Sequence, residues 1–119
     1  MALIPRILFE NKNNFRDEPA LSTMDSSGNW NSVTWSEFGN QVSAISKSLL
    51  ALGVQPDEKI SIYGYNSKEW YSTYFGAQVI GSAAVGVYHT CSAQEVSWIV
   101  GNSNSKIVFV GKNPMDNNE

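Results

Sequence analysis

The segment VGVYHTCSAQEV, residues 85–96, holds the chain's single histidine, His89, and its single cysteine, Cys91. A thiol close to an imidazole can be a nucleophile with its base. The same pair can also be half of a zinc site. In an extended chain these two side chains point to the same side, roughly 7 Å apart. That is beyond nucleophile–base contact unless the backbone bends. A metal site needs further Cys, His or clustered acids, and only Glu95 lies near in sequence. The expectation is a polar loop, with no catalytic residue and no metal ligand assigned.

Two other patterns could carry chemistry. Gly76, Gly81 and Gly86 recur every five residues, and GAQVIGSA matches the start of G-x-x-x-x-G-K-[ST]. The lysine is missing, and the glycines fall at a helix end instead of between a strand and a helix start. They read better as a close helix contact at Gly76, a helix stop at Gly81 and a tight strand contact at Gly86. The aromatic run EWYSTYF puts Trp70, Tyr74 and Ala77 on one helical face, with Tyr71 and Phe75 to one side. Core packing is the plain expectation there. A groove for an apolar ligand is the functional one.

The elements that would position these residues are legible from pattern. Residues 5–15 read as a short helix with Ile4, Ile7, Leu8 and Phe15 on its apolar side. Two extended runs flank the turn signal DSSGN and predict a hairpin. Thr34, Trp35, Ser36 and Glu37 form a T-x-x-E capping box. Phe38, Val42, Ile45, Leu49 and Leu52 then recur at steps of four and three, which predicts one buried helical stripe ended by Gly53.

Three strands alternate with two helices after that. KISIYG (59–64), AAVGVYH (83–89) and KIVFVG (106–111) are the strands. A helix capped by Asn66 or Ser67 runs to about residue 80. Another, boxed by Ser92 and Glu95, runs to about Gly101. This β-α-β-α-β order predicts an α/β fold with parallel strands and right-handed crossovers. Ligands of such sheets bind at the carboxyl ends of the strands. YNSKE and HTCSAQE, which follow the first two strands, are therefore the ligand-facing loops. The chain divides into an opening helix and hairpin (1–33), an amphipathic helix and turn (34–58), the β-α-β-α-β unit (59–111) and a polar tail (112–119).

The 119 residues suffice for one small core. A net charge of -3 with no basic run argues against nucleic acid as the main ligand. A single cysteine fits a reducing compartment. No apolar run reaches the length of a membrane-spanning helix. The expected location is intracellular, either cytoplasmic or peripheral to an organelle membrane. Two arginines through Arg16 alongside Glu10 lend little support to a mitochondrial presequence.

Beyond these patterns the chain resembles a known family. VTWSEFGNQVSAISKSLLALGV is similar to the first core motif of the AMP-forming adenylating enzymes. ISIYGYNSKEWYSTYFGAQVIGSAAVGVYHTCSAQEVSWIV is similar to the second, and SKIVFVGKN to the strand after it. GYNSKEW followed by GAQVIGSAAVGVY resembles the long-chain fatty acid–CoA ligases of the bubblegum type. The resemblance runs over residues 4–113. It implies that the whole of 1–119 is part of the N-terminal domain of such an enzyme.

The family joins a carboxylic acid to ATP with release of pyrophosphate, and CoA then displaces AMP to give acyl-CoA. ATP, Mg2+, CoA and a fatty acid are thereby implied for a complete enzyme. The family's phosphate loop, adenine motifs and lysine-bearing C-terminal domain find no match in these residues. The expectation is that this chain holds no cofactor and has no ligase activity alone. Its partner would be the remainder of a synthetase, or another protein, covering its apolar faces. The alternative is a truncated relative serving as a structural subunit of a larger complex. The resemblance also implies a CoA-adjacent loop at Tyr88, His89, Thr90 and Cys91, because the corresponding loop borders the CoA nucleotide in related acetyl-CoA synthetases. Those relatives carry glycine at the positions of His89 and Thr90.

Overall fold

The computed structural model describes residues 3–112. The tail expected at 112–119 falls outside them except for Lys112. The elements run in the order α1 (Leu3–Asn14), β1 (Pro19–Met24), β2 (Trp30–Thr34), α2 (Trp35–Ala51), β3 (Lys59–Tyr63), α3 (Lys68–Val79), β4 (Ala83–Val87), α4 (Ala93–Ser103) and β5 (Ile107–Val110). All nine expected elements are present, with ends shifted by a few residues.

Local chemistry sets the boundaries. At the head of α2 the Thr34 hydroxyl accepts from the Glu37 N–H at 3.2 Å. The Glu37 carboxylate accepts from the Thr34 N–H at 2.8 Å. Two otherwise orphaned donors are satisfied at once. Thr34→Ala removes one of them and is expected to cost about 1 kcal/mol, read as a lowered urea midpoint at unchanged slope. In the hairpin turn the Asp25 carboxylate accepts from the Ser27 and Asn29 N–H groups, each at 2.9 Å. The bond from Asn29 is foremost in holding that carboxyl below its usual range.

Three expectations are corrected. Leu52 does not continue the buried stripe of α2. It is the C-cap residue, 63% exposed, because the helix ends at Ala51 and Gly53 turns the chain away at φ +85°. On α1 the buried residues are Pro5 and Leu8, whereas Ile4, Ile7 and Phe15 are exposed. Only a narrow strip of this helix meets the rest of the molecule. And α4 runs past Gly101 to Ser103, where Asn104 takes the left-handed conformation that glycine often supplies.

The β1–β2 hairpin is antiparallel and stands apart from a three-stranded parallel sheet of order β4-β3-β5. β3 lies in the middle, and Ile60, Ser61 and Ile62 are all buried. Paired residues of neighbouring strands share a face. Ile60, Ile62, Ala84, Ile107 and Phe109 therefore form one face, packed with Leu49, Val54 and Ala77 of the α2–α3 side. Ser61, Tyr63, Val85, Val87, Val108 and Val110 form the other.

A second cluster, Leu8, Phe38 and Val42, gathers Leu21, Val33, Tyr71 and Phe75 beneath the hairpin and α1. α3 serves both clusters. Trp70 and Tyr74 face the sheet and Tyr71 and Phe75 face the hairpin side. The expected aromatic partition of α3 is what the structure holds, and a helix apolar around most of its girth is a buried one.

Candidate functional site: a groove between two strand ends

The chain leaves β3, passes over one face as α3 and returns as β4, at one edge. From β4 it crosses back past β3 to β5, at the opposite edge. Two right-handed crossovers running in opposite directions place α3 and α4 on opposite faces. The loops after β3 and β4 therefore diverge, and a crevice opens between the two strand ends. On the β5 side that gap is closed. The Gly111 N–H donates to the Tyr63 carbonyl at 2.7 Å, and a Cβ placed on Gly64 would lie 3.0 Å from the Gly111 Cα.

The open side is a groove of about 690 Å3 lined by Gly64, Tyr65, Asn66, Trp70, Gly86, Val87, Tyr88 and His89. The two expected loops, YNSKE and HTCSAQE, meet in it. Their junction is a stack of the Tyr65 and His89 rings, with centroids 4.0 Å apart and planes 20° from parallel. Tyr65 opens the expected loop YNSKE, but its pairing with His89 had no signal in the sequence, since the two lie far apart along the chain. What marks it is its position directly after a central parallel strand.

β4 ends at Val87, so His89 is not in the strand as expected. The Cys91 N–H donates to the Tyr88 carbonyl at 3.0 Å, which turns the chain within Tyr88, His89, Thr90 and Cys91. Tyr88 is 80% exposed, His89 and Thr90 are exposed, and Cys91 is half-buried. His89 is spent on Tyr65, and the Cys91 carbonyl accepts a long bond, 3.4 Å, from the Tyr63 hydroxyl. No hydrogen bond joins His89 to Cys91 among the described residues.

Beyond the turn the Ser92–Glu95 capping box closes with bonds of 2.7 and 3.2 Å. The Ser92 N–H holds the Glu95 carboxyl below its usual range. Glu95 is thus committed to the helix start. Among the described residues no group of three His, Cys, Asp or Glu could hold a metal ion.

Gly86 differs from expectation. Its nearest neighbour is not a strand but the edge of the Trp70 ring, 3.6 Å from where a Cβ would sit. The missing side chain leaves the groove floor open beside Trp70. Gly76 behaves as expected. A Cβ there would meet the Ile45 Cγ2 at 2.7 Å, and the Ser46 hydroxyl donates to its carbonyl at 3.0 Å across the α2–α3 contact.

Comparison with known proteins decides the family. A sequence profile described as AMP-binding enzyme matches residues 8–119. The chain belongs to the AMP-binding enzyme family. Its relatives in that family include the long-chain-fatty-acid–CoA ligase ACSBG2 of Mus musculus, 32% identical over 107 residues. The match covers 90% of this chain and 16% of that protein. The long-chain-fatty-acid–CoA ligase FadD15 of Mycobacterium tuberculosis is 33% identical over 82 residues, 69% of this chain and 14% of that one.

Among solved AMP-binding folds, the N-terminal domain of FACL13 from Mycobacterium tuberculosis superposes with a TM-score of 0.81 at 24% identity. It covers 98% of this chain and 28% of that one. The N-terminal subdomain of NpsA from Klebsiella oxytoca, bound to 3-hydroxyanthranilyl-AMSN, gives 0.81 at 20% identity, covering 94% and 28%. The chain thus has the fold of a part of such N-terminal domains. It spans about one sixth of the length of the curated ligases it matches. No helix among the described residues is long and apolar enough to cross a membrane.

Proposed function

We propose that this chain forms the opening part of the N-terminal domain of a long-chain fatty acid–CoA ligase, with the β3–β4 groove beside the nucleotide end of CoA. The observation that carries the reading is the Tyr65–His89 stack, which joins both strand-end loops over a groove open at Gly86. Its walls are aromatic and its floor lacks a side chain, which fits a planar base. No lysine or arginine lines it, so the phosphates of CoA would point away from these residues. The long-chain ligase relatives support the substrate class, and the single cysteine supports an intracellular setting.

The reading divides the labour of catalysis. ATP and Mg2+ activate the fatty acid in the complete reaction, a step this reading assigns to residues outside this chain. This chain contributes scaffold and one wall of the thiol donor's site. By itself it yields no AMP from ATP, fatty acid and CoA, and a reproducible AMP release would overturn that part.

The groove is tested by calorimetry with CoA. Gly86→Leu, which fills the space beside Trp70, and His89→Ala, which removes half of the stack, are each expected to weaken binding about 10-fold, roughly 1.4 kcal/mol. Affinity in both variants equal to that of the unaltered protein, or no binding by the unaltered protein, removes CoA from the groove. The second reading, a structural subunit without ligase activity, is favoured by an open apolar face, where Val108 and Val110 of the sheet and Trp98 of α4 stand exposed. It gains weight if CoA is not bound.

A further inference from the structure

The groove between β3 and β4 has aromatic walls, and an aromatic wall does not choose among bases. Every base has a π-face, so stacking adds affinity with little preference. Identity is read at the base edge, where donors and acceptors are arranged differently in each base. A side chain that reads such an edge needs a donor and an acceptor side by side. Among the lining residues, Gly64, Gly86 and Val87 have no polar side-chain atom. Tyr65, Tyr88 and Trp70 have one each, and the Trp70 indole only donates. The ring of His89 is stacked on Tyr65, and its two nitrogens point apart. Asn66 is the one carboxamide in the lining.

The fold leaves that carboxamide unspent. Asn66 and Ser67 are both residue types that cap helices. Ser67 takes the role at the head of α3, where its hydroxyl accepts from the Trp70 N–H at 3.1 Å. Asn66 therefore lies one residue outside the helix. It is exposed, and its amide has no hydrogen-bond partner among the described residues. Tyr65, the residue that bears the stack, directly precedes it and fixes the root of this side chain at the groove wall.

We infer that Asn66 selects adenine in this groove, its amide pairing with the N6 amino group and N7 of the base. This rests on the proposed CoA site and names how that site recognises its nucleotide. Adenine presents a donor at N6 beside an acceptor at N7, and an asparagine amide carries the complementary acceptor and donor. Guanine presents two acceptors on that edge, O6 and N7, and hypoxanthine shares the pattern. Either orientation of the amide then sets its oxygen against one of them, acceptor against acceptor. A guanidinium has only donors and matches that edge instead. One exposed side chain thus sets the preference, while the stack and Trp70 set how tightly any base is held.

The test is calorimetry with CoA and with deamino-CoA, in which hypoxanthine replaces adenine. The unaltered chain is expected to prefer CoA by about 10-fold, the weight of one bidentate pair. Asn66→Leu should weaken CoA and leave deamino-CoA nearly unchanged, so that the preference disappears. Asn66→Arg should invert it. The added charge strengthens both ligands through their phosphates, so the ratio is the readout. Residue 66 is exposed and outside the helix, so both variants should melt with the unaltered chain. Equal affinity of the unaltered chain for the two ligands, a result that needs no variant, overturns the inference. So does a preference that survives Asn66→Leu. If either is found while Gly86→Leu still weakens CoA, Asn66 fails and the groove stands. If the unaltered chain binds neither ligand, the CoA site fails and the role of Asn66 falls with it.

Discussion

Gly76→Val is expected to cost about 3 kcal/mol, the upper end of what overpacking a tight contact does. The reason is the neighbour that the new side chain meets. A Cβ at residue 76 would lie 2.7 Å from the Ile45 Cγ2 and 3.1 Å from the Ile45 Cβ. Ile45 is β-branched and sits on a helix, so it has almost one rotamer and cannot swing aside. The helices must part instead. Parting them stretches the bond from the Ser46 hydroxyl to the Gly76 carbonyl, which is buried. Domains of this size are stable by only about 5–15 kcal/mol, so the loss is a large share. Gly101→Ala provides the contrast. Its Cβ would meet nothing within 4 Å, and replacing this glycine in the last turn of α4 should gain up to about 0.5 kcal/mol, less than the mid-helix figure. Urea unfolding of the two variants checks both signs. Equal effects would show that helix propensity, not the α2–α3 contact, governs residue 76.

The second large effect is at Leu49. Its side chain is fully buried among Val54, Ile60, Ile62 and Ala77. Leu49→Ala is expected to cost about 2–5 kcal/mol, from lost transfer energy together with the cavity left behind. Leu52→Ala, one helical turn on, should cost well under 1 kcal/mol because that side chain is mostly in water. The stripe spacing alone predicts similar losses at both. The comparison therefore measures where the helix stops facing the core, and equal midpoints would contradict the burial seen here.

Those two leucines also show what the sequence could reveal. Capping boxes at Thr34 and Ser92, and the stops at Gly53 and Gly81, are contacts between residues a few positions apart. Local pattern determines them, and they are where the sequence indicates. The face of α1 and the fate of Leu52 depend on where distant elements lie, and helical period carries no such information. The order β4-β3-β5 is likewise a matter of crossover direction. His89 was visible as a candidate, but its partner Tyr65 lies on another loop and is brought to it only by that order. The turn closed by the Cys91 N–H on the Tyr88 carbonyl bends the chain between His89 and Cys91, and the imidazole stacks on Tyr65.

α3 carries one aromatic pair into each core, Trp70 with Tyr74 and Tyr71 with Phe75. Neither core therefore has a boundary of its own. The half holding α1 and the hairpin cannot melt while the sheet half persists, because both would lose the same helix. Heating should abolish the near-ultraviolet aromatic signal and the far-ultraviolet helical signal in one coincident transition. Amide protons inside α3 should exchange only by opening of the whole molecule, while those of the hairpin edge exchange by fraying. A protease cut in the turn between α2 and β3 would not release two survivors. It would leave two unfolded pieces, or one nicked molecule held together by α3.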